Sequence, residues 1–356
     1  MKSAADREKE EDGMRHRKCR GKKRIRMTAA AMIFLLLLGG CGKQFEVDDT
    51  GGETSADEDL IVVGVSQLGS ESMWRTANTT SIEETFTREN GYLLVFDNAR
   101  QNQENQIKAI RSFISQQVDY IVFSPIEESG WDVVLEEARD AGIPVIVMDR
   151  DLKVEDESLY VTRVGSDFRA EGENAGLWLE DYLEEQGRSD EDINIVVLQG
   201  TEGSTSTIGR TEGFEEIASR HDNWNILEQT GADYTTTKAR EEMRRIVKQY
   251  DDIDVLVSQN DDMTFGALDV FEENGITTGV DGDVIVISFD AVKSALERVQ
   301  AGDINVDIEC NPEQGPAVES VIRMLENGGT IERDYYVYEK IFTQENVGHY
   351  INDRSY

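Results

Sequence analysis

Histidine, proline and cysteine are nearly missing from this chain, with 3, 4 and 3 of them among 356 residues. Cys19 lies in a basic N-terminal stretch and Cys41 directly follows an apolar run, so only Cys310 remains in the body of the chain. No disulfide is available there, and the fold has to rest on its core. Cys310 itself reads as a small buried filler, the usual fate of a free cysteine. The body offers only His221 and His349 as imidazoles, and its acidic stretches DDIDV and DGDV lack the spacing of a calcium loop, so no metal site is expected. Basic side chains are scarce too: 36 Lys and Arg face 72 Asp and Glu, a net charge of −36. Nucleic acid needs a basic footprint, and this balance excludes it as a partner. There is no GxSxG elbow, no GxxxxGK[ST] loop and no nucleophile paired with either histidine. Neither an enzyme nor a cofactor is implied.

What is present begins with an address. A basic cluster, KKRIR at 22–26, precedes an apolar run from Met27 to Leu38. That run falls short of the roughly 20 apolar residues of a membrane span and reads as an export signal. It ends in LGGC at 38–41, a pattern that resembles a bacterial lipobox, so the peptide is expected to be cut before Cys41 and the thiol to carry lipid. The polar prelude MKSAADREKEEDG is longer than such a signal needs, and translation starting at Met14 would remove it. Without residues 1–40 the chain keeps 25 basic and 67 acidic side chains, a net charge of −42. Residues 41–58 then form a lipidated, acidic tether, expected to stay unfolded and hold the body off the membrane.

The body repeats one phrase: a short run rich in Val and Ile, a polar tip, then a stretch of helical spacing. The runs are LIVVGVSQ at 60, YLLVFDN at 92, YIVFSP at 120, IPVIVMDR at 143, INIVVLQG at 193, DVLVSQND at 254 and DVIVISFD at 283. Continuous apolar character marks strands buried on both faces. Between them Ile107, Ile110, Phe113, Ile114 and Val118 recur at helical spacing, as do Met243, Ile246 and Val247. The alternation predicts an α/β protein with parallel sheets, and seven strands split by a polar, loop-rich stretch near 160–190 suit two sheets and hence two lobes.

In such sheets ligands bind beyond the carboxyl ends of the strands. The tips there carry Gln67, Asp97 with Asn98, Asp149 with Arg150, Asn260 with Asp261 and Asp262, and Asp290. Each alone also suits a turn or a helix N-cap. Together they offer acceptors, amides and fixed guanidinium donors, and the stretch GSESMWRTANTT at 69–80 adds Trp74 beside Arg75. An indole face stacks on the apolar side of a sugar ring while the polar groups read its hydroxyls. Asp149 and Asp290 could also work as acid and base on a glycosidic bond, but reading hydroxyls is the simpler account in this company.

These residues resemble a known family, the ribose- and galactose-class periplasmic sugar-binding proteins that serve ABC importers. The likeness runs from about Asp59 to Tyr356 and is densest in VGVSQLGSESMWRTANTT, ENQIKAIRSFISQQVDYIVFSP, IPVIVMDRDL, LQGTEGSTSTIGRTEGF and QNDDMTFGALDVF. Among subgroups it is most similar to galactofuranose-binding proteins, because Trp74 and Arg75 stand where ribose binders carry two phenylalanines. The resemblance implies a type I periplasmic binding fold of two Rossmann-like lobes joined by three hinge strands. The implied lobes are 59–163 with 311–341, and 164–310 with 342–356, with crossings near Val164, Cys310 and Ile341. The ligand set is Ser70, Trp74, Arg75, Asp97, Asp149, Arg150, Arg210, Tyr234, Asn260 and Asp290. Cys310 departs from the pattern, since ribose binders place a ligand-touching hinge glutamine there. The implied function is capture of a monosaccharide by lobe closure and delivery to ABC permease subunits, by a monomer anchored through Cys41 on the outer face of the cell membrane. A sugar or autoinducer sensor feeding a membrane receptor kinase is the alternative, because both would share the same ligand site.

Overall fold

A computed structural model of the chain describes residues 60–356; the expected export signal, Cys41 and the tether lie outside the described residues. Strand and helix alternate through Ile61–Gln67 (β1), Met73–Thr85 (α1), Tyr92–Asn98 (β2), Gln103–Gln116 (α2), Tyr120–Phe123 (β3), Asp132–Ala141 (α3), Val145–Met148 (β4) and Thr162–Gly165 (β5). The same rhythm continues in Phe168–Glu185 (α4), Ile193–Gln199 (β6), Thr205–Ala218 (α5), Trp224–Gly231 (β7), Thr236–Gln249 (α6), Val255–Ser258 (β8), Asp261–Glu273 (α7), Ile285–Asp290 (β9), Lys293–Ala301 (α8) and Val306–Glu309 (β10). Gly315–Glu326 (α9), Asp334–Tyr336 (β11) and Ile341–Thr343 (β12) follow.

All seven Val- and Ile-rich runs are strands. Most helices that follow a polar tip start on a capping side chain: Ser72, Asn102, Asp167, Ser204, Thr235 and Asn260 each accept from the backbone N–H three residues on. Such caps satisfy donors that the first helical turn leaves free.

The strands form two six-stranded sheets, ordered β11-β5-β4-β3-β1-β2 and β12-β10-β9-β8-β6-β7, parallel except for the β10–β12 pair. Successive residues of one strand serve opposite faces. Ile121 and Phe123 pack with Val145 and Val147 under α2 and α3, while Tyr120 and Val122 pack with Val63, Val65 and Ile146 toward α1 and α9. The second sheet is covered in the same way, with Val196, Leu256 and Val286 on one face and Ile195, Val255 and Ile287 on the other. This two-sided burial is why the strands read as unbroken apolar runs.

The chain changes sheet between β5 and β6, between β10 and β11, and between β11 and β12. Val164 lies inside β5, so the first crossing begins at Ser166; Ile341 is already the first residue of β12. The stretch near 160–190, expected as polar loop, instead holds β5 and the 18-residue α4. Its polarity and its glycines mislead because α4 lies flush against α5: a Cβ on Gly172 would collide with the backbone of Arg210. Among the described residues no helix is long and apolar enough to cross a membrane.

Candidate functional site

Two strand tips aim the charged groups, and both do so through strained backbone. Asp149, just past β4, has φ +64, and Asp290, the last residue of β9, has φ +108. Tyr234, in the turn before α6, has φ +58. Residues with a Cβ avoid this left-handed region, at a cost of roughly 1–3 kcal/mol each, and persist there where the surroundings demand it. The turned backbone brings all three side chains to one small cavity between the lobes.

From the first lobe the cavity is lined by Glu71, Ser72, Trp74, Arg75, Asp149 and Arg150, and from the second by Phe168, Ser206, Arg210, Tyr234, Asn260, Asp290 and Cys310. Arg75 is locked: Nε donates to Glu71 at 3.2 Å, one terminal nitrogen to Gln67 Oε1 at 3.3 Å and the other to Asp149 Oδ2 at 2.6 Å. Burial opposes its charge, but the Asp149 and Glu71 carboxylates outweigh that and raise its pKa further. Its guanidinium also lies 4.6 Å from the Trp74 ring centroid. The Trp74 indole N–H donates to the Cys310 carbonyl at 2.6 Å, which orients the ring across the gap between the lobes.

Arg210 is equally committed. Its Nε donates to Glu171 at 2.6 Å, a terminal nitrogen donates to the Gln259 carbonyl, and the other sits 3.6 Å from Asp290. Arg150 differs: among the described residues it makes no ion pair, and its one hydrogen bond, to the Ile126 carbonyl, is 3.4 Å long. Burial, and then the neighbouring Arg75, pull its pKa below the ordinary arginine value. Its guanidinium faces the Tyr234 ring of the other lobe, 5.6 Å from the centroid. Tyr234 is held by its hydroxyl, which bonds Ser206 and Thr207 at 2.8 and 2.9 Å. The ring lies so close over Gly200 that a Cβ there would overlap it.

Asn260 caps α7 through Oδ1, which accepts from the Met263 N–H at 2.9 Å. Being a cap therefore does not remove it from the cavity wall. Burial pushes Asp290 well above the usual carboxylate range despite Arg210 nearby. Arg75 is paired with Glu71 and Asp149 and Arg210 with Glu171, so the wall offers mainly hydrogen-bond donors and acceptors, which suit a hydroxyl-rich ligand. The lobes also touch directly: the Met73 N–H donates to Asp262 at 2.9 Å and the Asp151 N–H to Thr205 Oγ1 at 2.9 Å. This is a closed arrangement. Metal-ligating side chains come together, among the described residues, at Glu171, Cys310 and Glu339, of which Cys310 also reaches the cavity.

Of the ten residues read from the sequence, Trp74, Arg75, Asp149, Arg150, Arg210, Tyr234, Asn260 and Asp290 line this cavity. Ser70 and Asp97 do not. Both are exposed, Ser70 in a separate surface groove with Asn98 and Arg100. The reason for Asp97 is topological, since β2 is the edge strand of its sheet and its tip falls beside the cleft. Sequence reasoning omitted Glu71, Ser72, Phe168 and Ser206 from the set, and left Cys310 as filler. The caps Ser72 and Ser204 mark helix starts that face the cleft, and this was the available signal for Ser72 and Ser206. Phe168, at the first residue of α4, gave none.

Comparison with known proteins gives one answer throughout. The family model described as periplasmic binding protein domain matches residues 62–326. The chain is 36% identical over 277 residues to the galactofuranose-binding protein of Escherichia coli (strain K12), covering 77% of this chain and 85% of that one. It is 30% identical over 328 residues to the fructose import binding protein of Bifidobacterium longum, covering 90% and 94%. A Mycobacterium smegmatis structure in complex with β-D-fucofuranose superimposes with TM-score 0.77 at 37% identity, covering 82% of this chain and 93% of that one. The arabinose ABC transporter's binding protein from Shewanella sp. ANA-3, bound to L-arabinofuranose, gives 0.76 at 36% identity, covering 83% and 95%.

Proposed function

The chain belongs to the periplasmic binding protein family, whose members matched above are binding proteins and not enzymes, and from that premise we propose that it captures a monosaccharide in the furanose ring form and hands it to an ABC importer. One observation carries the reading: Arg150 is buried in the cavity wall with nearly all its donors unspent. A buried guanidinium without acceptors is unfavourable, and a sugar's ring oxygen and hydroxyls are acceptors of the right size and number. Trp74 and the Tyr234 ring supply apolar faces beside it, the Asn260 amide nitrogen adds a donor from the second lobe, and Asp149 and Asp290 accept from hydroxyls. The lobes rotate at the three crossings, close on the sugar and exclude water, which strengthens each of these bonds. Galactofuranose is the first ligand to try, given the 36% identity to a protein named for it.

Ser70 and Asp97, both exposed, belong to this reading only as rim groups. The wider reading includes export, lipid on Cys41 and action as a monomer outside the cytoplasmic membrane. Mass spectrometry of the mature N-terminus checks the lipid: a diacylglyceryl-modified Cys41 supports it, and an unmodified residue 1–41 segment ends it. The central test is calorimetry and thermal melting with methyl glycosides of galactose, fucose and arabinose locked in the furanose ring, against the same glycosides locked in the pyranose ring. A melting shift confined to furanoses and lost in Trp74→Ala supports the reading. Equal response to both ring forms, or none, overturns it.

A further inference from the structure

The three crossings meet at one point. Ser166 follows β5, Cys310 follows β10, and Glu339 lies between β11 and β12. The Ser166 hydroxyl donates to Glu339 and lies 3.3 Å from Cys310 Sγ. Glu171, from the first turn of α4, completes the group: one ligand atom each from Glu171, Cys310 and Glu339 lies within 4.8 Å of the others. Glu171 and Cys310 are each 2% exposed. Oε2 of Glu171 is taken by Arg210, but Oε1 is buried with no hydrogen-bond partner. A buried carboxylate oxygen left unpaired is costly, so this arrangement calls for a positive partner at the cluster.

We propose that Glu171, Cys310 and Glu339 form a binding site for a thiophilic divalent cation of the zinc class. The donor set is one sulfur and two carboxylates. Calcium and magnesium prefer six or more oxygen ligands, whereas zinc takes sulfur and oxygen in a tetrahedron. Zinc–sulfur and zinc–oxygen bonds of about 2.3 and 2.1 Å place tetrahedral donors about 3.6 Å apart. The three ligand atoms, already within 4.8 Å, therefore need to draw in by roughly an ångström. The fourth position falls to Ser166 Oγ or to water. Ionised, the two carboxylates and the thiolate beside the Arg210 guanidinium carry a formal surplus of two negative charges, which a dication cancels. No histidine and no close spacing announces such a site in the sequence, because its ligands lie far apart in the chain and meet only at the crossings.

The consequence is mechanical. Lobe rotation bends the crossings, and an ion bridging two of them and α4 restrains that bending. Cys310 is also the residue whose carbonyl holds the Trp74 indole, so the ion's presence reaches the cavity wall. This inference does not depend on which ligand the cavity takes.

The probe is cobalt(II), titrated into the full chain and followed by its thiolate-to-metal charge-transfer absorption, then displaced with zinc. The expected result is a band in the wild type that zinc removes, absent from Cys310→Ser and weakened in cobalt affinity by roughly tenfold or more in Glu339→Gln. Zinc should also raise the melting temperature of the wild type but not of Glu339→Gln. No band in the wild type, or an equal band in Cys310→Ser, overturns the site. A zinc-induced melting shift as large in Glu339→Gln also overturns it, assigning the ion to the acidic surface instead. If Cys310→Ser does not fold, Glu339→Gln decides alone: it keeps the thiol and lies outside the cavity lining, and unchanged cobalt affinity there ends the proposal.

Discussion

Arg150 and Arg210 line the same cavity, and each is 3% exposed, yet they are built in opposite ways. Arg210, from the second lobe, is saturated by Glu171, the Gln259 carbonyl and Asp290, and despite burial its pKa stands well above the ordinary value. Arg150, from the first lobe, has one long bond to a carbonyl and a depressed pKa. Burial is the same; the supply of acceptors is not. A saturated guanidinium is part of the frame, and an unsaturated one is waiting for something to hold.

Four experiments break or sharpen that contrast. The largest effect belongs to Arg210→Met, which strands Glu171 and Asp290 as buried carboxylates without their cation. Chemical denaturation should show a loss of about 3–5 kcal/mol, or no folded protein. A change below about 1 kcal/mol would mean that Arg210 is not framework. Arg150→Met should leave stability level or improved while weakening sugar binding by roughly ten- to a hundredfold, since hydrogen bonds from a charged donor contribute about 1.5–3 kcal/mol. Calorimetry beside melting separates the two effects, and an unchanged Kd would erase the contrast.

Asp307 tests how the second lobe carries its buried charge. Burial lifts its pKa to about 8, and Asp261 lies alongside. A carboxyl raised in the folded state contributes stability that is fully present below about pH 4 and is lost as pH rises to about 8. Melting temperatures of Asp307→Asn, a neutral mimic, should therefore fall less than those of the wild type across that window; parallel curves would place the titration elsewhere. The smallest effect is expected of Asp97→Ala, on an exposed edge-strand tip: stability within about 0.5 kcal/mol and sugar affinity unchanged. A clear loss of affinity would return Asp97 to the site.

The same contrast shows what a linear reading can reach. The seven strands were legible because two-sided burial writes itself as unbroken Val and Ile. β10 was not, because its four residues include Asp307 and Glu309, both buried, nor β7, a half-exposed edge strand. The tips Asp149, Arg150, Asn260 and Asp290 were legible as polar groups ending apolar runs. Which arginine is satisfied was not, because Arg210 finds its partners on α4 and past β8, well removed in sequence. Phe168 and the crossing cluster enter from helix starts and hinge segments, where sequence pattern says least about what lies nearby.

The backward-turned tips at Asp149, Asp290 and Tyr234 also constrain anyone who would retune this receptor. Their backbones, not their rotamers, set where the side chains point, so β-branched replacements at these three positions work against the fold before any ligand is considered. Asn at 149 or 290 keeps both the turn and a polar end, because asparagine tolerates the left-handed region. A library aimed at a new ring size should therefore vary Trp74, Phe168 and Ser206, which sit on ordinary helical backbone, and hold the three tips as fixed parts.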